Sequence, residues 1–103
     1  MPDFSTPFAC LKNERKVTHE ELIRAIRFNI AAEYEAVQLY IQLAESTDNK
    51  LAKDVLIDIA DEERVHAGEF LQLLHELAPD EKKLYDEGAE EVQEMIDELK
   101  NNK

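Results

Sequence analysis

The run Asp61-Glu62-Glu63-Arg64-Val65-His66 interrupts an apolar stripe. Around it, Leu56, Ile59, Phe70, Leu73 and Leu77 recur at spacings of three and four, the period of one face of an α-helix. Carried through the run, the same spacing lands on Glu63 and His66. Three residues apart on a helix, their side chains project together. A carboxylate and an imidazole therefore stand where the pattern asks for core residues. An ionised carboxylate is costly to bury without a partner, and a cation is the simplest partner for a Glu and a His that point inward together.

Working back toward the N-terminus, Ser46-Thr47-Asp48-Asn49-Lys50 reads as a short polar turn of cap-forming residues. It joins a helix over about 50–77 to an earlier one over about 19–46, and so short a connection makes the two antiparallel neighbours. The first helix opens on a capping box, Thr18-His19-Glu20-Glu21, with His19 expected on the surface. Its inward stripe is Ile26, Ile30, Val37 and Tyr40, and the member missing from the apolar series is Glu33. Glu33 lies 13 residues before Ser46, and Glu63 lies 13 residues after Lys50. In an antiparallel hairpin the two carboxylates fall at the same height. Two plainer readings stand beside this one: Glu33 as a boundary residue with its head in water, and Tyr40 as a core aromatic whose hydroxyl finds one hydrogen bond.

The remainder is less charged with meaning. Residues 1–17 read as an extended arm: Pro2 and Pro7 oppose helix, Phe4 and Phe8 suit docking onto a neighbour, and Lys12, Arg15 and Lys16 make a small solvated basic patch. Ala78-Pro79-Asp80-Glu81 starts a third helix, expected to break or kink near Gly88 and resume over about 89–100. Val92, Met95, Ile96 and Leu99 give it an apolar edge. His75 falls outside the second helix's stripe and is expected at the surface or against a partner.

Composition narrows the class. The chain has 103 residues, 44% of them apolar, with 2 Gly and 3 Pro. That suits one all-α domain with a small core, which gains stability by oligomerising. A formal net charge of -12 argues against nucleic acid, which needs clustered Lys and Arg, and against anionic membranes. It favours cations, though plain solubility explains it equally well. The single cysteine, Cys10, allows no intrachain disulfide and no four-cysteine site. With no signal peptide or membrane span visible, a cytoplasmic location is expected.

One chain thus offers Glu33, Glu63 and His66. Two carboxylates and an imidazole suit iron or manganese better than structural zinc, and three ligands do not close an octahedral site. Two copies about a two-fold axis would supply four Glu and two His, the ligand set of carboxylate-bridged di-iron four-helix bundles. The expected architecture is an antiparallel hairpin (18–78) with a C-terminal helix (79–103), its four-helix bundle completed by dimerisation. Glu62, four residues before His66, is an alternative ligand by spacing, but it sits one residue off the stripe and is expected at the surface or behind the ligands.

The run Ala32-Glu33-Tyr34-Glu35-Ala36-Val37-Gln38-Leu39-Tyr40, followed by the polar turn and Asp61-Glu62-Glu63-Arg64-Val65-His66-Ala67, resembles the encapsulated ferritins, half-length relatives of ferritins and rubrerythrins. The resemblance covers about residues 19–98. It implies a ferroxidase that oxidises Fe2+ to Fe3+ at a di-iron centre between two subunits. Glu33, Glu63 and His66 of each would be ligands, Glu63 a bridge, and Tyr40 close by. It further implies a ring, commonly a decamer, housed in an encapsulin shell where the iron is stored. Glu35 matches an acidic position on the family's iron-access route, and Ala32 replaces another. Family members reach the shell by a C-terminal peptide or by fusion to it, and no apolar tail of that sort precedes Lys103. Three other readings fit the donors or the helices: a rubrerythrin-like peroxidase drawing electrons from a separate protein, a manganese catalase, and a helical interaction module without metal.

Overall fold

The computed structural model describes residues 14–102, and the expectations for Pro2, Phe4, Pro7, Phe8 and Lys12 lie outside them. The described residues form three helices and no strand: α1 (His19–Glu45), α2 (Lys50–Leu77) and α3 (Pro79–Asn101). The all-α class is as expected.

Local chemistry sets the ends. Thr18 Oγ1 accepts from the Glu21 N–H at 3.2 Å, and the Thr18 N–H donates to Glu21 Oε1 at 2.8 Å, the two halves of the capping box. Arg15 is exposed, as expected, and forks onto the same Glu21, with donor–acceptor distances of 2.7 and 2.6 Å. Held first by Arg15 and then by the Thr18 backbone, the Glu21 carboxyl is lowered to about 2. Asn49 caps α2 by accepting from the Ala52 N–H at 2.9 Å. Ala78 ends α2 and leads directly into Pro79, which cannot continue the hydrogen-bond ladder of α2 but suits the first position of α3.

α1 and α2 pack along their length as an antiparallel hairpin. The core holds Ile23, Ile26 and Ile30 of α1 against Leu74 of α2, with Leu22, Phe70, Leu71, Leu77 and Ala78 around them. Ala44, Ala60 and Ala67 are also buried. The innermost line of α2 is therefore Ala60, Ala67, Leu74, a seven-residue repeat whose two alanines allow close approach. It is offset by one residue from the Leu56–Ile59–Phe70–Leu77 stripe, which is only half-buried, and Leu73 is exposed. The stripe expected to be a core face lies instead along the margin between α1 and an open face. Val55, Leu73, Leu39 and Leu43 are exposed with it, and the chain measures 58 × 46 × 18 Å along its principal axes. At one or two helix diameters thick, it cannot cover both sides of its own hairpin.

α3 corrects an expectation. It runs unbroken through Gly88, whose φ is not positive. A mid-helix glycine costs only about 1 kcal/mol relative to alanine, and the flanking Glu, Ala, Lys and Leu residues favour helix. No residue of α3 is buried. It leans on the hairpin at its first turns, where Arg27 of α1 donates through Nε to Glu81 Oε2 at 3.2 Å and through Nη2 to Glu81 Oε1. The Tyr85 hydroxyl donates to the same carboxylate, and the Tyr85 ring packs against His75 at a centroid distance of 6.1 Å. The guanidinium lowers the Glu81 carboxyl, and the accepting carboxylate raises the Tyr85 hydroxyl. His75 thus contacts α3. His19 is exposed as expected, yet its Nε2–H donates to the Leu77 carbonyl at 2.9 Å, tying the start of α1 to the end of α2.

Candidate metal centre

The hairpin register brings Glu33, on α1, level with Glu63 and His66 on α2. His66 Nδ1 lies 3.7 Å from Glu63 Oε2 and 3.9 Å from Glu33 Oε2. One donor atom from each of the three falls within 4.8 Å of the others. Those separations exceed a hydrogen bond, so the donors converge without satisfying one another. The two carboxylates are 18% and 19% exposed and the imidazole 50%. Glu33 Oε2 is buried with no hydrogen-bond partner among the described residues. An orphaned carboxylate oxygen facing a second carboxylate and an imidazole is the environment a cation would relieve. The donor set is hard and oxygen-rich, as iron or manganese prefers.

Beside the cluster is an open recess of about 290 Å3 lined by Glu33, His66, Glu69 and Phe70. Glu69 is the residue that sequence reasoning missed, although its signal was there: it follows His66 by three residues. Glu35 and Glu62 are exposed and stand outside the three-residue group. Tyr40 is half-buried but seven residues beyond Glu33, roughly 10.5 Å along α1. The Arg27–Glu81 contact was also invisible in the sequence, since it joins residues far apart in the chain with no local periodicity to reveal them.

The arrangement has counterparts in known proteins. The sequence profile of the rubrerythrin family matches residues 11–102. The crystal structure of the encapsulated ferritin domain from Pyrococcus furiosus superposes with a TM-score of 0.79 at 36% identity, covering 87% of this chain and 92% of that one. The chain belongs to the rubrerythrin family and, within it, to the encapsulated ferritins. Two curated relatives of this encapsulated ferritin are longer than the segment they share with it. A ferritin-like–encapsulin shell fusion protein of Pyrococcus furiosus is 36% identical over 85 residues, which are 82% of this chain and 25% of that protein. The encapsulin nanocompartment cargo protein EncC of Myxococcus xanthus is 46% identical over 67 residues, 65% of this chain and 52% of that protein. The chain thus spans about half the length of one and a quarter of the other. No described helix of this encapsulated ferritin is long and apolar enough to cross a membrane.

Proposed function

We propose that this encapsulated ferritin is a ferroxidase whose di-iron centre is shared by two copies of the chain. The observation that carries the proposal is the half-complete site: two carboxylates and one imidazole converge, and one buried carboxylate oxygen has no partner among the described residues. A second copy placed two-fold about the open face doubles the set to four Glu and two His. It also covers Val55, Leu73, Leu39 and Leu43, which one chain leaves exposed. Tyr40, on the same helix as Glu33, is our candidate for a residue acting beside that shared centre.

In the reaction, two Fe2+ ions each give up one electron. With O2 as acceptor, the two electrons and two protons make hydrogen peroxide; with peroxide as acceptor, they make two waters. Glu33 and Glu63 supply negative oxygens that interact more strongly with Fe3+ than with Fe2+, which lowers the potential and favours oxidation. His66, presenting Nδ1 toward both carboxylates, fixes the third side of the donor set. The net charge of -12 draws cations toward the surface.

The relatives' names support the setting: one is a shell fusion and another a nanocompartment cargo protein. We assign this chain accordingly to the inside of an encapsulin compartment in the cytoplasm, as a ring of dimers, a decamer in the fullest form, passing Fe3+ to a mineral store. The family match to rubrerythrins favours one competing reading, peroxide reduction with electrons from a separate protein. An anaerobic Fe2+ titration followed by air, with absorbance and native mass recorded, tests both. Saturation near one iron per chain, fast oxidation and a shift from smaller species to a ring are expected. Absence of stoichiometric binding, or oxidation at the rate of free iron, would remove the ferroxidase assignment. Turnover of peroxide only with an added reductant would favour the second reading.

A further inference from the structure

We propose that Glu69 is a further working residue of this site, a carboxylate at the mouth of the recess that takes Fe2+ from solvent and delivers it to Glu33 and His66. The inference rests on the ferroxidase reading above. Four side chains line the recess: Glu33 and Phe70 are half-buried, and His66 and Glu69 are exposed. Glu33 is 18% exposed, His66 50%, and Glu69 is exposed. Phe70 offers a cation no donor atom. Glu69 is therefore a solvent-facing carboxylate on the wall of the recess, beside the exposed His66.

The placement is not explained by helix stability. Asp54, Asp61 and Asp86 each pair with a Lys or Arg three or four residues away on the same helix. The positions three and four from Glu69 are Val65, His66, Gln72 and Leu73, so no Lys or Arg balances it along α2. Glu69 makes no hydrogen bond or ion pair among the described residues. Nor does it belong to the group whose donor atoms lie within 4.8 Å of one another. It stands one helical step outside the donors, about 4.5 Å farther along the axis than His66. A carboxylate there holds a cation in passing and not at rest.

A transit residue has a kinetic signature that a ligand lacks. It lowers the barrier between solvent and site without changing either end state. Its loss slows arrival and departure by the same factor and leaves the dissociation constant unchanged. The test is anaerobic stopped-flow binding of Co2+, a redox-stable probe for Fe2+, to the full chain, followed by Co2+ absorbance. Glu69→Gln is compared with wild type, with the ligand variant Glu63→Gln and with the remote charge control Glu94→Gln. Glu69→Gln is expected to slow association about three-fold or more, with the difference shrinking as salt is raised. Its dissociation constant stays within about two-fold of wild type, and Glu94→Gln binds as wild type does. An unchanged association rate, or a loss equal to that of Glu94→Gln, overturns the proposal. A weakened dissociation constant also overturns it, by making Glu69 a ligand. Failure of wild type to bind Co2+ would sink the metal site itself. Tight binding that Glu63→Gln abolishes and Glu69→Gln leaves kinetically untouched would sink the transit role alone.

Discussion

Replacing Glu33 by glutamine should move the metal-free and the iron-loaded protein in opposite directions. The donor oxygens of Glu33 and Glu63 lie within 4.8 Å of one another. Two unit charges at that distance repel by about 0.9 kcal/mol in water and about 3.5 kcal/mol at an effective dielectric constant of 20. Both carboxylates are less than one-fifth exposed, so the metal-free value falls between those limits, near ~1–2 kcal/mol. Glu33→Gln keeps the side-chain volume, removes the charge and adds an amide that can donate to Glu63. The metal-free variant should therefore be more stable by ~1 kcal/mol, raising Tm by roughly 4–8 °C for a chain of this size. Iron should do the reverse. Wild type at 100 times its dissociation constant gains about 2.7 kcal/mol, and the variant should gain almost nothing. Thermal denaturation under anaerobic conditions, with chelator and with Fe2+, reads both arms at once. A metal-free variant less stable than wild type would mean that Glu33 does structural work. An undiminished iron-induced shift would mean that Glu33 is not a ligand.

Other outcomes follow from the same structure. Gly88→Ala should stabilise α3 by about 0.5–1 kcal/mol, since an added Cβ meets nothing within 4 Å and φ is not positive; a lower Tm would contradict the continuous helix. Because the folded Glu21 carboxyl is held at about 2, below its ordinary 4.5, its contribution is present above the ordinary value and is lost as pH falls through about 2. Acid denaturation of Glu21→Gln should be shallower over that window than that of wild type, and coincident curves would deny the Arg15 and Thr18 contacts a stabilising role. Arg27→Ala should speed amide hydrogen exchange across the first turns of α3 while leaving α1 and α2 protected; equal protection would show that the Glu81 contact does not dock the helix. Leu43→Glu on the exposed hairpin face should reduce native mass and Fe2+ oxidation together, whereas loss of neither would remove that face from the proposed dimer.

The hairpin and its candidate ligands were legible because they rest on local rules. Thr18 and Asn49 carry cap chemistry, Pro79 cannot extend α2, and apolar residues at helical spacing mark the packed sides. Glu33 and Glu63 could be set level by counting equal distances from one turn. Such counting works only because an antiparallel hairpin has a constant rise per residue. Other features were decided by tertiary structure. Ala60 and Ala67 sit on the innermost line of α2 because small residues let two helices approach, a preference that a hydrophobic stripe does not record. That shift by one residue turns Glu63 and His66 to the margin of the hairpin and leaves His66 half-exposed beside an open recess. Gly88 looked like a break because its local cost was visible, while the helix-forming strength of its neighbours was spread over the whole of α3. Arg27 meets Glu81 only after the corner at Ala78–Pro79 sets the direction in which α3 leaves α2. The sequence by itself determined which residues can hold a cation and at what height they stand; packing determined which way they face, because side-chain direction depends on how closely the two backbones approach.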